Sequence, residues 1–225
     1  MKYFSLSAFD IPEAWLLVVQ KILEEGDDFK VGRGSEITNT KKISMGLEIT
    51  NPETRPLAHK EAPFTMKYVE QYALEYLFIG EKHKGEEYTY GERLRKPVDQ
   101  IERVIEKYRE CREDRQNTMI IRRPDDLNTL DPPCLTVLDT EILNDKMHFL
   151  VYFRSWDAYG GFPANIAGLQ LLKEYMAGEI GVKPGKTICF AKNIHLYERQ
   201  TEFAKKLVYG KTDRPESWWK ENKEE

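Results

Sequence analysis

Asp131-Pro132-Pro133-Cys134, then Arg154-Ser155-Trp156-Asp157, then Gly160-Gly161-Phe162-Pro163-Ala164-Asn165 and finally His195-Leu196-Tyr197-Glu198 form the stretch around which the chain is organised. A thiol attacks carbon only as its thiolate, so a catalytic Cys134 needs a nearby cation, helix N-terminus or base. Arg154 is the available cation. Its planar guanidinium also suits bidentate recognition of a phosphate, and Ser155 adds a hydroxyl donor. Asn165 carries a donor and an acceptor on one side chain, which matches a heterocycle presenting an N–H beside a carbonyl, as uracil does. His195 and Tyr197, separated by one residue, project from the same face of a strand, where a sugar hydroxyl would satisfy them. The set reads as a nucleophile, an anion clamp and a polar reading head.

The surrounding pattern supplies elements to carry these groups. Residues 136–143 and 147–154 alternate in polarity and are joined by Asn144-Asp145, a hairpin signal. Antiparallel pairing then brings Cys134, just before one strand, beside Arg154 at the end of the other. Residues 165–176 read as a helix that buries Ile166, Leu169, Leu172 and Met176. Residues 186–197 read as a strand after a Pro184-Gly185 turn, with Cys189 in the core.

Upstream, residues 11–25 form an expected helix with Pro12 in its first turn, Gly26 at its end and an apolar stripe of Trp15, Val18, Val19 and Ile22. Residues 29–34 read as a glycine-punctuated turn bearing Arg33, followed by an alternating strand through Ile43, Met45 and Leu47. Residues 62–80 have helical spacing at Val69, Tyr72, Tyr76 and Leu77 and carry Glu70 and Glu75. A charged helix over 97–113 turns Ile101, Val104, Ile105 and Tyr108 inward. A short strand over 118–121 is flanked by Arg115, Arg122 and Arg123.

The 225 residues are 40% hydrophobic and 32% charged with a formal net charge of -4. No Pro/Gly/Ser-rich linker interrupts them, so one α/β domain over 1–225 is expected. The charge balance gives no basic stripe of the kind that nucleic-acid binding favours. Three well-separated cysteines, Cys111, Cys134 and Cys189, lack zinc-site spacing, and the odd count without a signal peptide predicts a reducing cytoplasm. No apolar run approaches the roughly 20 residues that span a bilayer.

Pro133-Cys134, Arg154-Ser155-x-Asp157, Gly161-x-Pro163-x-Asn165-Ile166-Ala167 and His195-x-Tyr197, taken in order, resemble thymidylate synthase. Tyr90-Gly91-x-x-x-Arg95 followed by Asp99-Gln100-Ile101 is similar to that family's Tyr-Gly segment. The resemblance runs from Tyr90 to Tyr197. It implies an α/β (α+β) fold with a central mixed sheet flanked by helices, and a homodimer packed through its sheets. It implies formation of dTMP from dUMP with a methylene-carrying reduced pterin, either 5,10-methylene-tetrahydrofolate or a methylene-tetrahydromethanopterin-like carrier, and no metal.

In the implied chemistry Cys134 adds to pyrimidine C6, Asn165 stabilises charge on O4, and Tyr90 and Glu75 belong to water networks at C5 and O4. Asp157 contacts pyrimidine and pterin. Arg154, Ser155, Asn165, His195 and Tyr197 bind the nucleotide, with Arg33 and Arg115 as further phosphate ligands. A catalytic Cys134 is expected to alkylate fastest of the three cysteines. The chain departs from the family at Leu135 and Asn193, where histidine and aspartate are usual, and in its charged final residues, which suggests a modified pterin carrier. The same residues support two other readings: a pyrimidine deoxynucleotide hydroxymethylase of the same fold, and a non-catalytic nucleotide- or RNA-binding protein. A cytosine-using enzyme of this fold tends to carry aspartate at the reading position, so Asn165 favours uracil.

Overall fold

Alternating polarity builds the centre of the fold as expected. In the computed structural model, which describes residues 2–32, 37–82 and 84–210, the first elements are β1 (Tyr3–Ala8), α1 (Ile11–Glu25), β2 (Asp27–Val31) and β3 (Thr38–Ile49). Next come α2 (Met66–Tyr72), a wide π-helical turn (Ala73–Phe78), α3 (Tyr90–Arg95), α4 (Gln100–Glu110) and β4 (Met119–Ile120). β5 (Leu135–Leu143), β6 (Lys146–Phe153), β7 (Trp156–Asp157), α5 (Gly161–Ile180), β8 (Lys183–Tyr197) and α6 (Thr201–Tyr209) complete the series. The sheet runs β1-β3-β8-β6-β5-β4, with β2 also on β3 and β7 also on β8. It is mixed: β1/β3, β6/β8 and β7/β8 are parallel, and the other pairs are antiparallel.

The β5–β6 hairpin turns at Asn144 and Asp145, whose φ values of 54° and 55° are the left-handed pair that a tight two-residue connection requires. Met147, Phe149, Val151 and Phe153 are buried beneath helices, while Leu150 and Tyr152 face the other way. α5 is apolar nearly all round and lies against this inner face, as a fully buried helix must. Burial of Phe162, Leu169, Leu172 and Met176 is worth about 1.5–3 kcal/mol each. Gly181, at φ 82°, stops the helix with the left-handed cap that favours glycine.

α1 starts at Asp10, whose carboxylate accepts from the Glu13 amide at 2.9 Å, and buries the expected stripe. Its Trp15 indole donates to the Ala158 carbonyl at 2.9 Å, so this helix fixes the loop after β7. Several boundaries differ from expectation. Residues 27–31 form edge strand β2, held by register with β3; the strand is too polar and exposed to show periodicity. β8 begins at Lys183, and Pro184 is accommodated beside a register shift between Met147 and Phe149. α5 begins at Gly161, which puts Asn165 inside the helix.

Candidate active site

The hairpin delivers the thiol and the arginine together. Arg154 N–H donates to the Cys134 carbonyl at 2.9 Å, and the Arg154 guanidinium reaches back over the loop, Nε donating to Pro133 O at 3.0 Å and Nη2 to Pro132 O. The double proline, which has no N–H to offer, thus presents two carbonyls that hold the arginine beside the thiol. Cys134 is mostly buried, and burial raises its thiol above the usual value; Arg154 and, more weakly, Arg122 pull it down, while Asp131 pushes it up. Desolvation outweighs the cations, so the resting group is a thiol. The expectation that it alkylates fastest is therefore revised for the free protein: Cys111 is exposed, and Cys189 is fully buried and pushed up to about 12.

Tyrosines close the site around Cys134. The Tyr90 hydroxyl accepts from the Leu135 amide at 3.4 Å, and Tyr88 lies against the Cys134 backbone and thiol. Burial drives both phenols upward, so they remain protonated donors. α3 carries Tyr90 and begins at Thr89, whose side chain accepts from the Glu92 amide at 3.0 Å. Tyr72, Tyr76, Tyr88, Tyr90, Asp131 and Asn165 line one cavity of about 470 Å³, together with Glu86 and Glu87.

Asn165 is bonded at both ends. Its Oδ1 accepts from the Trp156 indole at 2.9 Å, and its Nδ2 donates to the Tyr72 hydroxyl at 2.7 Å. Tyr72 belongs to an i, i+4 ladder, with Tyr68 and Tyr72 centroids 6.5 Å apart and Tyr72 and Tyr76 5.4 Å apart, both stacked. That spacing was visible in the sequence, but its role at Asn165 was not. Glu75, expected at the site, is half-buried on the π-helical turn and accepts from Gln71 at 3.0 Å; its neighbours Tyr72 and Tyr76 line the cavity. An extra residue in a helical turn rotates every later side chain by about 100°, which regular spacing cannot foresee.

His195 is buried, with Nδ1 at 3.2 Å from Asn193 Oδ1 and its ring edge-on to Tyr197 at 4.8 Å. An amide oxygen only accepts, so Nδ1 carries the proton and Nε2 is a lone-pair acceptor. That Nε2 is buried and has no hydrogen-bond partner among the described residues. Burial lowers the His195 pKa, and nearby Asp157 opposes the shift.

Asp157 Oδ1 accepts from the amides of Tyr159 at 2.9 Å and Gly160 at 3.1 Å, and Gln200 Nε2 lies 3.0 Å from Oδ2. Gln200 in turn takes the Tyr197 amide at 3.0 Å, so Asp157 and β8 are locked through a residue that the motifs did not flag. Ser155 is half-buried between Arg154 and Trp156.

The phosphate arginines separate. Arg122 comes just after β4 at the Cys134 end of β5 and acts on the thiol. Arg115 lies at the other end, beside Asp139, Thr140 and Glu141. Arg123 is engaged by Lys96 O and Glu92. Arg33 lies outside the described residues, as do the tryptophans of the charged ending. Among the described residues there is no acidic, histidine or cysteine cluster suited to a metal, and no helix long and apolar enough to cross a membrane.

A protein-family model described as thymidylate synthase matches residues 79–224. A protein of Methanosarcina acetivorans named "Putative thymidylate synthase" is 34% identical over 91% of this chain and 94% of its own. One of the same name from Methanothermobacter marburgensis is 30% identical over 91% of this chain and 98% of its own. With the mixed sheet, these matches define the class as a transferase of one-carbon groups. The chain belongs to the thymidylate synthase family. Membership carries a methyltransferase-like role toward dUMP with a folate-type one-carbon carrier.

Proposed function

We propose that this chain methylates dUMP at C5 through a covalent Cys134 adduct. The observation that carries the reading is one cavity lined by Tyr88, Tyr90 and the doubly bonded Asn165, with Tyr88 against Cys134 and Arg154 beside that thiol. Arg154 and Ser155 take the phosphate, with Arg122 favoured over Arg115 as a further cation because it acts at the Cys134 end of β5. The Nε2 of His195, without a partner among the described residues, accepts a sugar hydroxyl, with Tyr197 beside it.

After losing its proton to solvent, Cys134 forms the S–C6 bond. The C5–C6 π pair moves to the C5–C4–O4 system, and the Asn165 N–H stabilises the developing O4 charge. Tyr90, protonated and anchored on the Leu135 amide, orients the water that removes the C5 proton. The pterin, when bound, supplies the methylene carbon and then the hydride that completes the methyl group. Return of the S–C6 electron pair to sulfur releases Cys134.

The rings of Tyr72, Tyr76, Tyr88 and Tyr90 suit a flat pterin, and the carboxylates of Glu86, Glu87 and Asp131 disfavour a carrier with anionic glutamates at this mouth. The carrier is either methylene-tetrahydrofolate or a methylene-tetrahydromethanopterin-like pterin. The outer sheet face, where Tyr152 pairs with Phe190 and Leu150 with Ile188, supports a homodimer packed through its sheets. Free thiols at Cys111, Cys134 and Cys189 fit a reducing cytoplasm.

The test is tritium release from C5-labelled dUMP with methylene-loaded tetrahydrofolate or tetrahydromethanopterin. Release with dTMP is the expected result. A hydroxymethyl product would replace the synthase reading with the hydroxymethylase, and nucleotide binding without release under either carrier would leave a binding protein.

A further inference from the structure

Trp156 decides which way the reading amide faces. Its indole is 2% exposed, stacks on Phe153 at 3.8 Å with an interplanar angle of 4°, and packs against Phe162 at 4.7 Å. A ring held between two others cannot swing aside. Indole nitrogen donates and never accepts, so the Asn165 atom 2.9 Å away is the oxygen. Tyr72, the partner at the other end, has a hydroxyl that both donates and accepts and imposes no direction of its own. The indole therefore supplies the orientation, and Tyr72 accommodates it.

Pinned this way, Asn165 keeps one lone pair on Oδ1 and one hydrogen on Nδ2 for the cavity that it lines. Those two groups complement the N3–H and O4 of uracil. Cytosine presents the reverse pair, an unprotonated N3 and an amino group, and could be read only by an amide turned half a revolution. The turned amide would set its NH2 against the indole N–H, leaving two buried donors facing one another. Such a loss is worth roughly a ten- to hundredfold change in affinity.

We infer that Trp156 is the positioning residue that makes this site select uracil over cytosine nucleotides, by fixing the orientation of the Asn165 amide through its indole N–H. The inference rests on the proposed nucleotide site. It assigns Trp156 no contact with substrate.

The experiment measures equilibrium binding of dUMP and dCMP by calorimetry to the whole wild-type chain, to Trp156→Phe, which keeps the ring and removes the donor, and to Tyr72→Phe. The wild type is expected to prefer dUMP by at least about tenfold. Trp156→Phe should shrink that ratio about tenfold or more, by losing dUMP affinity and gaining dCMP affinity. Tyr72→Phe should weaken dUMP while keeping the preference, because the indole still sets the amide. A Trp156→Phe protein that binds both nucleotides more weakly by the same factor, or a wild type that binds the two equally, overturns the inference and leaves the nucleotide site standing. The wild-type comparison needs no variant to fold. A wild type that binds neither nucleotide refutes the underlying site, and the inference with it.

Discussion

At the scale of the residue, the thiol poses a contest between burial and charge. Arg154 lies beside Cys134, yet its guanidinium is committed to the Pro132 and Pro133 carbonyls, and burial remains the larger influence on the thiol. The Cys134 pKa therefore lies above its reference of 9.0. Because the thiolate is the reactive species, its iodoacetamide alkylation should rise close to tenfold per pH unit from pH 7 through about 9. The raised pKa also means that the folded state holds its proton longer than the unfolded chain. The stability that this contributes is complete below pH 9 and is lost above it. Peptide mapping should show Cys111 modified first, Cys134 more slowly and Cys189 not at all, with dUMP protecting Cys134 alone. Arg154→Gln should slow Cys134 alkylation at pH 8 by roughly threefold or more, since it removes the stronger of two favourable charges. An unchanged rate would mean that the neighbouring carbonyls already cancel the arginine.

At the scale of the element, the site depends on how α5 meets the segment carrying the tyrosine ladder. A Cβ added at Gly168 would lie 2.9 Å from Leu77 Cδ1 and 3.0 Å from two atoms of the Tyr72 ring. The ring is stacked on Tyr76 and cannot fold away, so the contact must push α2 and its wide turn off α5. Gly168→Ala should cost about 1–3 kcal/mol in urea unfolding and draw the Tyr72 hydroxyl from Asn165, lowering dUMP affinity. Full stability with full affinity would show that the two segments have room to spare. This contact also marks where sequence reading stops. The hairpin bearing Cys134 and Arg154, the α1 stripe and the apolar α5 were legible because alternation and helical spacing report burial directly. The motifs at Cys134, Arg154, Asn165 and His195 were legible as ordered chemistry. Edge strand β2 was not, because its residues are polar and its only support is pairing. The π-helical turn was not, because an inserted residue breaks the period that a reader counts. The partnership of Trp156, Asn165 and Tyr72 was not, because Tyr72 and Asn165 are 93 residues apart and meet only through packing.

At the scale of the whole molecule, the two faces of the sheet have different fates. Phe149, Val151 and Phe153 alternate with Leu150 and Tyr152 along β6, and the first set disappears beneath α5 while the second faces outward. Across the parallel β6–β8 pairing, Leu150 adjoins Ile188 and Tyr152 adjoins Phe190; Tyr152 is 37% and Phe190 45% exposed. Tyr3 extends this surface, leaning across Gly46, where an added Cβ would meet its hydroxyl at 2.6 Å. A side chain there would displace Tyr3, so the glycine keeps the middle of the face flat. A flat apolar strip centred on paired strands suits a second copy of itself under twofold symmetry, and a stable interface of this kind buries roughly 800 Å² per partner. Sedimentation of the wild type should give a dimer at micromolar concentration, and Phe190→Asp should shift it to monomer by placing a charge where each copy meets the other. Phe190 lies on the face opposite the buried core, so the variant should unfold at close to the wild-type urea concentration. That separates loss of assembly from loss of fold. A wild-type monomer that still releases tritium from labelled dUMP would overturn the dimer, and would require the phosphate site to be complete within one chain.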